Sequence, residues 1–396
     1  MIESLTKPRV RFSYYDNIWH VSLLTELGIS VVDGDRGKNY PNGTDFSRQG
    51  YCLFLNAKNV TKTGFCFDDV SFISEAKDRA LRKGKLVRND IVVTTRGTVG
   101  NIAFYDDSVC YDNMRINSGM VLLRNSSQVI DCRFLYIYLA SSKVQQLISS
   151  IAFGSAQPQL TVKEILRFKI SYPSFLEQQK IAAFLTAVDD KILQLSKKKT
   201  LLEQYKKGSM QQIFSQEIRF KDENGDDYPE WRVSKLGSIA LITTGSSNRV
   251  DSNLDGKFTF FDRSQDVRLS DRYLFDAEAI IVPGEGQAFV PKHFKGKFDL
   301  HQRTYAIMDF NPHNGRFLYY SMTYNSDHLN SHAVGSTVKS LRLPMFQKMP
   351  IALPPLEEQT KIANFLSALD DKIKQVDKQL KLTNQYKKGL LQQMFV

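Results

Sequence analysis

Five of the six histidines fall between His293 and His332, the one stretch rich enough to suggest a metal or acid–base cluster, but their irregular spacing matches no ligand set. Asp33-Gly34-Asp35-Arg36-Gly37-Lys38 opens like a calcium loop and lacks the later Glu ligand at its spacing. Gly37-Lys38, Gly84-Lys85, Gly256-Lys257 and Gly296-Lys297 all lack the upstream Gly and the following hydroxyl of a phosphate loop. Gly284-Glu285-Gly286 is half of a dinucleotide fingerprint with Phe289 at the third Gly position, so it reads as a turn. An amino-methyltransferase acting on DNA needs an Asn/Asp-Pro-Pro-aromatic run, and Pro354-Pro355 is flanked by leucines. No Ser/His/Asp assembly can be assigned. Cys52, Cys66, Cys110 and Cys132 form no C-x-x-C pair, which points to reduced thiols and away from a zinc site or disulfide framework. The expectation is a binder with no catalytic residue, no metal and no cofactor of its own.

What it binds is hinted at by charge. Lys and Arg number 53 against 42 Asp and Glu, a formal net charge of +11. That surplus suits a polyanionic partner, because each phosphate neutralised releases counterions. No apolar run reaches the roughly 18 residues of a membrane span, and the N-terminus carries no signal-peptide core. A cytoplasmic location is expected.

The elements that must position any binding residues are duplicated. Residues 173–214 and 354–395 align without a gap at an offset of 181, with 24 of 42 positions identical. Apolar residues at Ile181, Leu185, Val188, Ile192, Leu195 and Leu202 form one helical stripe. Ile362, Leu366, Leu369, Ile373, Val376, Leu380, Leu390 and Met394 form the other, and both look like coiled-coil seams. Ser174 with Glu177 makes a capping box at the first helix start, where the second copy has Pro355. A second start, at Thr186 or Ser367, would break each copy into a short and a long helix. Unbroken, each runs up to roughly 60 Å. The two can pair parallel or antiparallel; the antiparallel choice puts one variable segment at each end of a rod with approximate two-fold symmetry.

Each helix closes a variable segment. The first opens with Val10-Arg11-Phe12 and Trp19-His20-Val21, the second with Ile218-Arg219-Phe220 and Trp231-Arg232-Val233. Leu24 and Leu236 follow the tryptophans by five residues, so the duplication reaches the domain entrances. Strands are expected at 90–95, 119–123, 279–282 and 305–308, helices at 134–147 and 317–329. The fold class is therefore α+β: two mixed α/β domains (1–172 and 216–353) separated and joined by two long helices (173–215 and 354–396). Gly154-Ser155 and Gly335-Ser336 recur at the same offset ahead of a last strand, as ligand-facing loops or simple turns.

Pro355–Leu366, its sister Pro173–Leu185 and the Tyr-Lys-Lys-Gly endings at 205–208 and 386–389 resemble the conserved helices of type I restriction–modification specificity subunits. Gly154-Ser155-Ala156-Gln157-Pro158-Gln159-Leu160 and residues 89–97 resemble loop and strand motifs of that family's target-recognition domains. The resemblance covers the whole chain in order: domain, helix, domain, helix. The second domain departs from it, with Gly335-Ser336-Thr337-Val338-Lys339 and Pro283-Gly284-Glu285-Gly286 in place of the corresponding motifs.

The resemblance implies an antiparallel coiled coil and a non-catalytic subunit that grips a bipartite, asymmetric site on double-stranded DNA. It implies two modification subunits, which carry S-adenosylmethionine and methylate adenines, and restriction subunits using ATP and magnesium to cleave. The coiled coil would set the spacer. Arg reads guanine bidentately, Asn or Gln reads adenine, and Lys holds phosphate. The expected DNA contacts are Arg36, Lys38, Asn56, Lys58, Asn59, Arg96, Arg115 and Gln157 in the first domain, and Asn248, Arg249, Arg263, Gln265, Lys292, Arg303 and Lys339 in the second. Gln178, Gln179, Gln211, Gln212, Gln359, Gln392 and Gln393, polar residues mostly repeated between the copies, are the expected partner contacts. A coiled-coil scaffold or nucleic-acid-binding regulator without a methyltransferase is the alternative.

Overall fold

The computed structural model describes residues 7–152 and 158–395. They divide into two units, the first comprising Met1–Gln194 with Leu380–Val396 and the second Leu195–Gln379. The repeated stretches are single unbroken helices, Phe175–Phe214 and Leu356–Gln393, so no second start is used. Every residue of the two expected seams is buried or half-buried. In the second unit Lys199 meets Asp377 and Lys206 meets Asp370, so the helical segments there run antiparallel. In the first unit Lys387 meets Asp189, while Leu390 and Met394 share a core with Ile181 and Leu185, again antiparallel.

The first unit carries a four-stranded antiparallel sheet in the order Ile29–Asp33, Met120–Asn125, Ile91–Thr94, Ile102–Phe104. A three-stranded sheet (Phe72–Ile73, Cys52–Leu55, Met114–Ile116) lies beside it, its last two strands parallel. The second unit merges these into one six-stranded sheet: Leu241–Thr244, Thr304–Met308, Phe275–Pro283, Lys292–Leu300, Phe258–Phe261, Arg268–Ser270. Its parallel pair is Phe258–Phe261 with Lys292–Leu300. The continuous β-branched and aromatic runs in both units are what buried strands require. The expected helical patches each split in two, Cys132–Leu139 with Ser142–Ala152 and Gly315–Tyr324 with Ser326–His332.

Two features tie each domain to its helix. His20–Leu23 pairs with Lys169–Tyr172, and Arg232–Lys235 pairs with Pro350–Leu353 in the same relative register. The Arg of each entrance motif then reaches the start of the adjacent helix. Arg11 donates twice to the fully buried Glu177 at 2.7 Å, and Arg219 donates to the fully buried Glu358 at 2.8 and 3.2 Å. The capping-box expectation for Glu177 is corrected by this pair, since its carboxylate is taken by the guanidinium. Among the described residues no helix is long and apolar enough to cross a membrane.

Candidate nucleic-acid interface

In the first unit the strands ending at Asp33 and Thr94 lie opposite the start of the strand at Met120–Val121. The parallel strands ending at Leu55 and Ile116 run side by side. Chain direction therefore gathers the loops after Asp33, Leu55, Thr94 and Ile116. Arg36 is exposed, with Nη2 3.2 Å from both Asp33 Oδ1 and the Ser118 carbonyl. Lys38 and Arg96 are exposed, and the Arg96 backbone N–H donates to Gly119. Beneath them buried Asp35 accepts from the N–H of Gly37 (2.8 Å) and Arg82 (2.7 Å), which holds its carboxyl below the usual range. Gly34 permits the tight approach, because a Cβ there would lie 2.2 Å from the Asn117 carbonyl. Asn56 caps a short 3-10 turn by accepting from Lys58 N–H, and Lys58 forms an exposed pair with Asp69.

Two expected contacts in this unit are corrected. Asn59 is 1% exposed, and its amide donates to the carbonyls of Cys66 and Asp69 while its oxygen accepts from Asn56 N–H. Arg115 is 5% exposed and points into the domain, to Asp78 Oδ1 at 2.5 Å and to the carbonyls of Asp78, Leu81 and Lys83. Burial alone would raise the Asp78 carboxyl; the bonds from Lys85 and Arg115 outweigh it and lower it. Both side chains hold the fold and have too little left to read a base. Gln157 lies outside the described residues.

In the second unit all seven expected residues fall in one chain of contacts. Exposed Asn248 accepts from Gln302, beside Arg303. Exposed Arg249 lies 4.0 Å from buried Asp262, which Arg268 approaches at 3.2 Å. Asp262 precedes Arg263, and Arg263 and Arg303 both reach Glu285. Glu285–Gly286 pairs with Lys339–Ser340 as a short two-stranded ribbon, so Gly284-Glu285-Gly286 is not simply the expected turn. The Lys292 ammonium donates to the carbonyls of Ser264 and Gln265, clamping that loop, and burial lowers its pKa. Lys292 is thus a loop holder, whereas Arg249, Arg263, Gln265, Arg303 and Lys339 are exposed. Under the loop Asp299, fully buried, accepts from the hydroxyls of Ser247 and Ser270.

Two of the repeated glutamines are also corrected. Gln178 is fully buried; its Oε1 accepts from the N–H of Asp131, and its Nε2 donates to Val129 and Pro173. Gln359, 1% exposed, accepts from Asn314 N–H and donates to Pro354. Asp131 and Asn314 are the N-caps of the domain helices, so each glutamine splints a domain helix to a long helix. Gln179, Gln211, Gln212, Gln392 and Gln393 are exposed. Sequence reasoning missed Arg11, Arg219, Glu177, Glu358 and Glu285. The first four carried a signal, identity between the copies at the entrances and helix starts; Glu285 was visible only as a departure.

Known proteins agree with this layout. The profile of the type I restriction modification DNA specificity domain matches residues 24–204 and again 228–384. The specificity subunit of the EcoDI type I restriction enzyme of Escherichia coli is 31% identical over 35% of this chain and 31% of its own length. The MjaVIII specificity subunit of Methanocaldococcus jannaschii is 27% identical over 46% of each. The chain thus spans less than half the length of these two relatives. The putative MjaX specificity subunit of the same organism is 23% identical over 84% of the chain and 82% of that protein. Among solved structures, the S subunit of a type I restriction–modification system from M. genitalium covers 99% of both chains with a TM-score of 0.69 at 16% identity. A chain from a study of complex assembly and conformational transition of the type I system covers 95% of this chain and 97% of its own, with a TM-score of 0.53 at 17% identity. With both domains matched by the profile, the chain belongs to the type I restriction modification DNA specificity family.

Proposed function

We propose that this chain is the DNA sequence-recognition subunit of a type I restriction–modification complex, binding a bipartite asymmetric site. One observation carries the reading. The two units share a frame, yet the rim residues differ: exposed Arg36, Lys38, Lys58 and Arg96 with half-buried Asn56 on one, exposed Asn248, Arg249, Arg263, Gln265, Arg303 and Lys339 on the other. Equal frames bearing unequal readers are what two different half-sites require. Chemistry belongs to partners in this reading: two modification subunits bring S-adenosylmethionine and methylate adenines, and restriction subunits bring ATP and magnesium. The chain itself holds no cofactor and works in the cytoplasm, where host DNA lies. The exposed glutamines Gln179, Gln211, Gln212, Gln392 and Gln393 are the proposed partner contacts.

Methylated adenines mapped in host DNA with and without the gene test the assignment. One bipartite motif is expected to vanish on deletion, and Arg36→Ala with Arg96→Ala is expected to change one half of it only. Inserting the same number of residues in both long helices is expected to alter the spacer and leave both halves intact. An unchanged methylation map after deletion sinks the proposal.

A further inference from the structure

Arg96 and Glu285 occupy the same place in the two units. Leu160 N–H donates to the Thr95 carbonyl as Leu341 N–H donates to Gly284, and 160 and 341 differ by the repeat offset. Arg96 bridges to Gln159 as Glu285 pairs with Ser340, again one offset apart. Thr95 N–H donates to Gly119 as Gly284 N–H donates to Arg303. Where the first unit presents an arginine beside a glycine, the second presents a carboxylate beside an arginine. The parallel strands extend the match: Leu55 lies beside Ile116 as Phe261 lies beside Leu300, so Ala57 corresponds to Arg263. The net charge of the three places is the same, and its arrangement is inverted.

We propose that Glu285 is a specificity-determining residue that fixes Arg263 and Arg303 as one preset pair of DNA readers; this rests on the DNA-recognition reading above. Glu285 Oε2 accepts from Arg263 Nη1 at 3.0 Å, and both its oxygens accept from Arg303 Nη1 at 2.8 and 2.9 Å. The carboxylate side chain is 20% exposed, against 53% and 57% for the two arginines that cover it. In these contacts each guanidinium uses Nη1 alone, and Nε and Nη2 make no hydrogen bond among the described residues. Reading guanine takes two donors in a fixed orientation, whereas a phosphate accepts a guanidinium in almost any. A carboxylate at this spot orients the pair and, by binding both guanidinium groups, holds their charge back from loose contact with the DNA backbone. It therefore penalises sequence-independent phosphate contact made by the pair more than base contact, which is specificity gained against the wrong partner.

The test uses the full chain, wild type and Glu285→Gln, binding a random-sequence duplex and a duplex carrying the motif found in the methylation map, each titrated with salt. Glu285→Gln is expected to bind the random duplex about tenfold more tightly, with a salt slope steeper by about one, and to gain little on the motif. Placed in an Arg263→Ala/Arg303→Ala background, the same substitution is expected to change nothing. Equal gains on both duplexes, no gain on the random duplex, or an effect that persists without the two arginines overturns the proposal. A wild-type chain with no preference for the motif overturns the DNA-recognition reading as well. A melting curve superimposable on wild type shows that Glu285→Gln leaves the fold intact; if it melts lower, Glu285→Asp, which keeps the charge and withdraws it from the arginines, must reproduce the loosened discrimination or the proposal fails.

Discussion

One strand of the second unit does the work of two in the first. Lys292–Leu300 pairs antiparallel with Phe275–Pro283 and, at its far end, parallel with Phe258–Phe261. In the first unit those pairings fall to Ile102–Phe104 and Met114–Ile116, with a loop between them. That loop is stitched down by Arg88, bonded to the carbonyls of Asp106 and Val109 and to Asp112, and by the Tyr105 hydroxyl on Tyr111 and Asp112. The comparison teaches that the sheet middle can be cut and refilled while the anchors stay. Both units keep the Arg–Glu pair, the glutamine splint and the two-stranded closure, and vary what lies between.

Breaking the anchors is expected to have the largest effect. Glu177→Ala leaves a nearly buried guanidinium uncompensated and is expected to cost about 3–5 kcal/mol of stability. Glu358 also accepts from Trp231 Nε1 at 3.2 Å, whereas buried Trp19 Nε1 has no such acceptor. The spacing explains the difference, Arg11 to Trp19 being shorter by four residues than Arg219 to Trp231. Glu358→Ala should thus cost about 1 kcal/mol more than Glu177→Ala. Chemical denaturation of the two variants checks both numbers, and equal losses would remove the tryptophan from the account.

The glutamine splints come next. Gln178→Ala and Gln359→Ala each leave a part-buried backbone N–H and one buried carbonyl, of Pro173 or Pro354, unpaired, and each is expected to cost about 1–3 kcal/mol. Exposed Gln211→Ala is expected to leave stability unchanged. A stability loss at Gln211 to match that at Gln178 would erase the distinction between splint and surface.

Much of this frame was legible in the sequence because duplication fixes register. The offset aligned the long helices, the seam periodicity told which face is buried, and β-branched runs marked Ile91–Thr94 and Thr304–Met308. The rim was legible less well, for a physical reason. Arg115 and Arg96 are the same residue type in neighbouring loops and strands, yet one faces Asp78 inside and the other faces out. Strand alternation decides that, and a short strand such as Met114–Ile116 offers too little pattern to set its phase. Gln178 failed similarly: a polar residue repeated in two copies signals a shared job, and the job was internal hydrogen bonding.

Acid is expected to act on both rims. The Asp35 carboxyl is held down by backbone N–H bonds; for Asp262, burial pushes up but Ser264, Arg268 and Arg249 prevail, and the net shift is down. A depressed carboxylate contributes stability that is present above its unfolded pKa, about 3.9, and is lost as pH falls through its folded value. Wild type should lose this contribution below about pH 4, where Asp35→Asn and Asp262→Asn should show flatter profiles. A variant profile parallel to wild type down to acid would show that the loop carboxylates do not hold the rims.

The smallest effects belong to the ion pairs between the long helices, and here too the copies differ in a way that can be measured. Lys206–Asp370 and Lys387–Asp189 are equivalent by the repeat offset. Each is partly exposed, so as a simple pair each should contribute about 0–1 kcal/mol. Asp370 has a further partner, the Tyr320 hydroxyl at 2.6 Å, and Lys206 lies 5.2 Å from the centre of that ring. Tyr320 is 2% exposed, and its phenol pKa is pushed up by burial and by Asp370, which keeps the hydroxyl a donor. Asp370→Ala leaves that buried donor only the longer bond to Ser367 Oγ at 3.4 Å, and Asp189→Ala strands no buried tyrosine. The first should therefore cost about 1 kcal/mol more than the second, and the excess should disappear when both are repeated in a Tyr320→Phe background. An excess that survives the loss of the hydroxyl would assign it to the lysine pair alone and make the domain helix a bystander to the coiled coil.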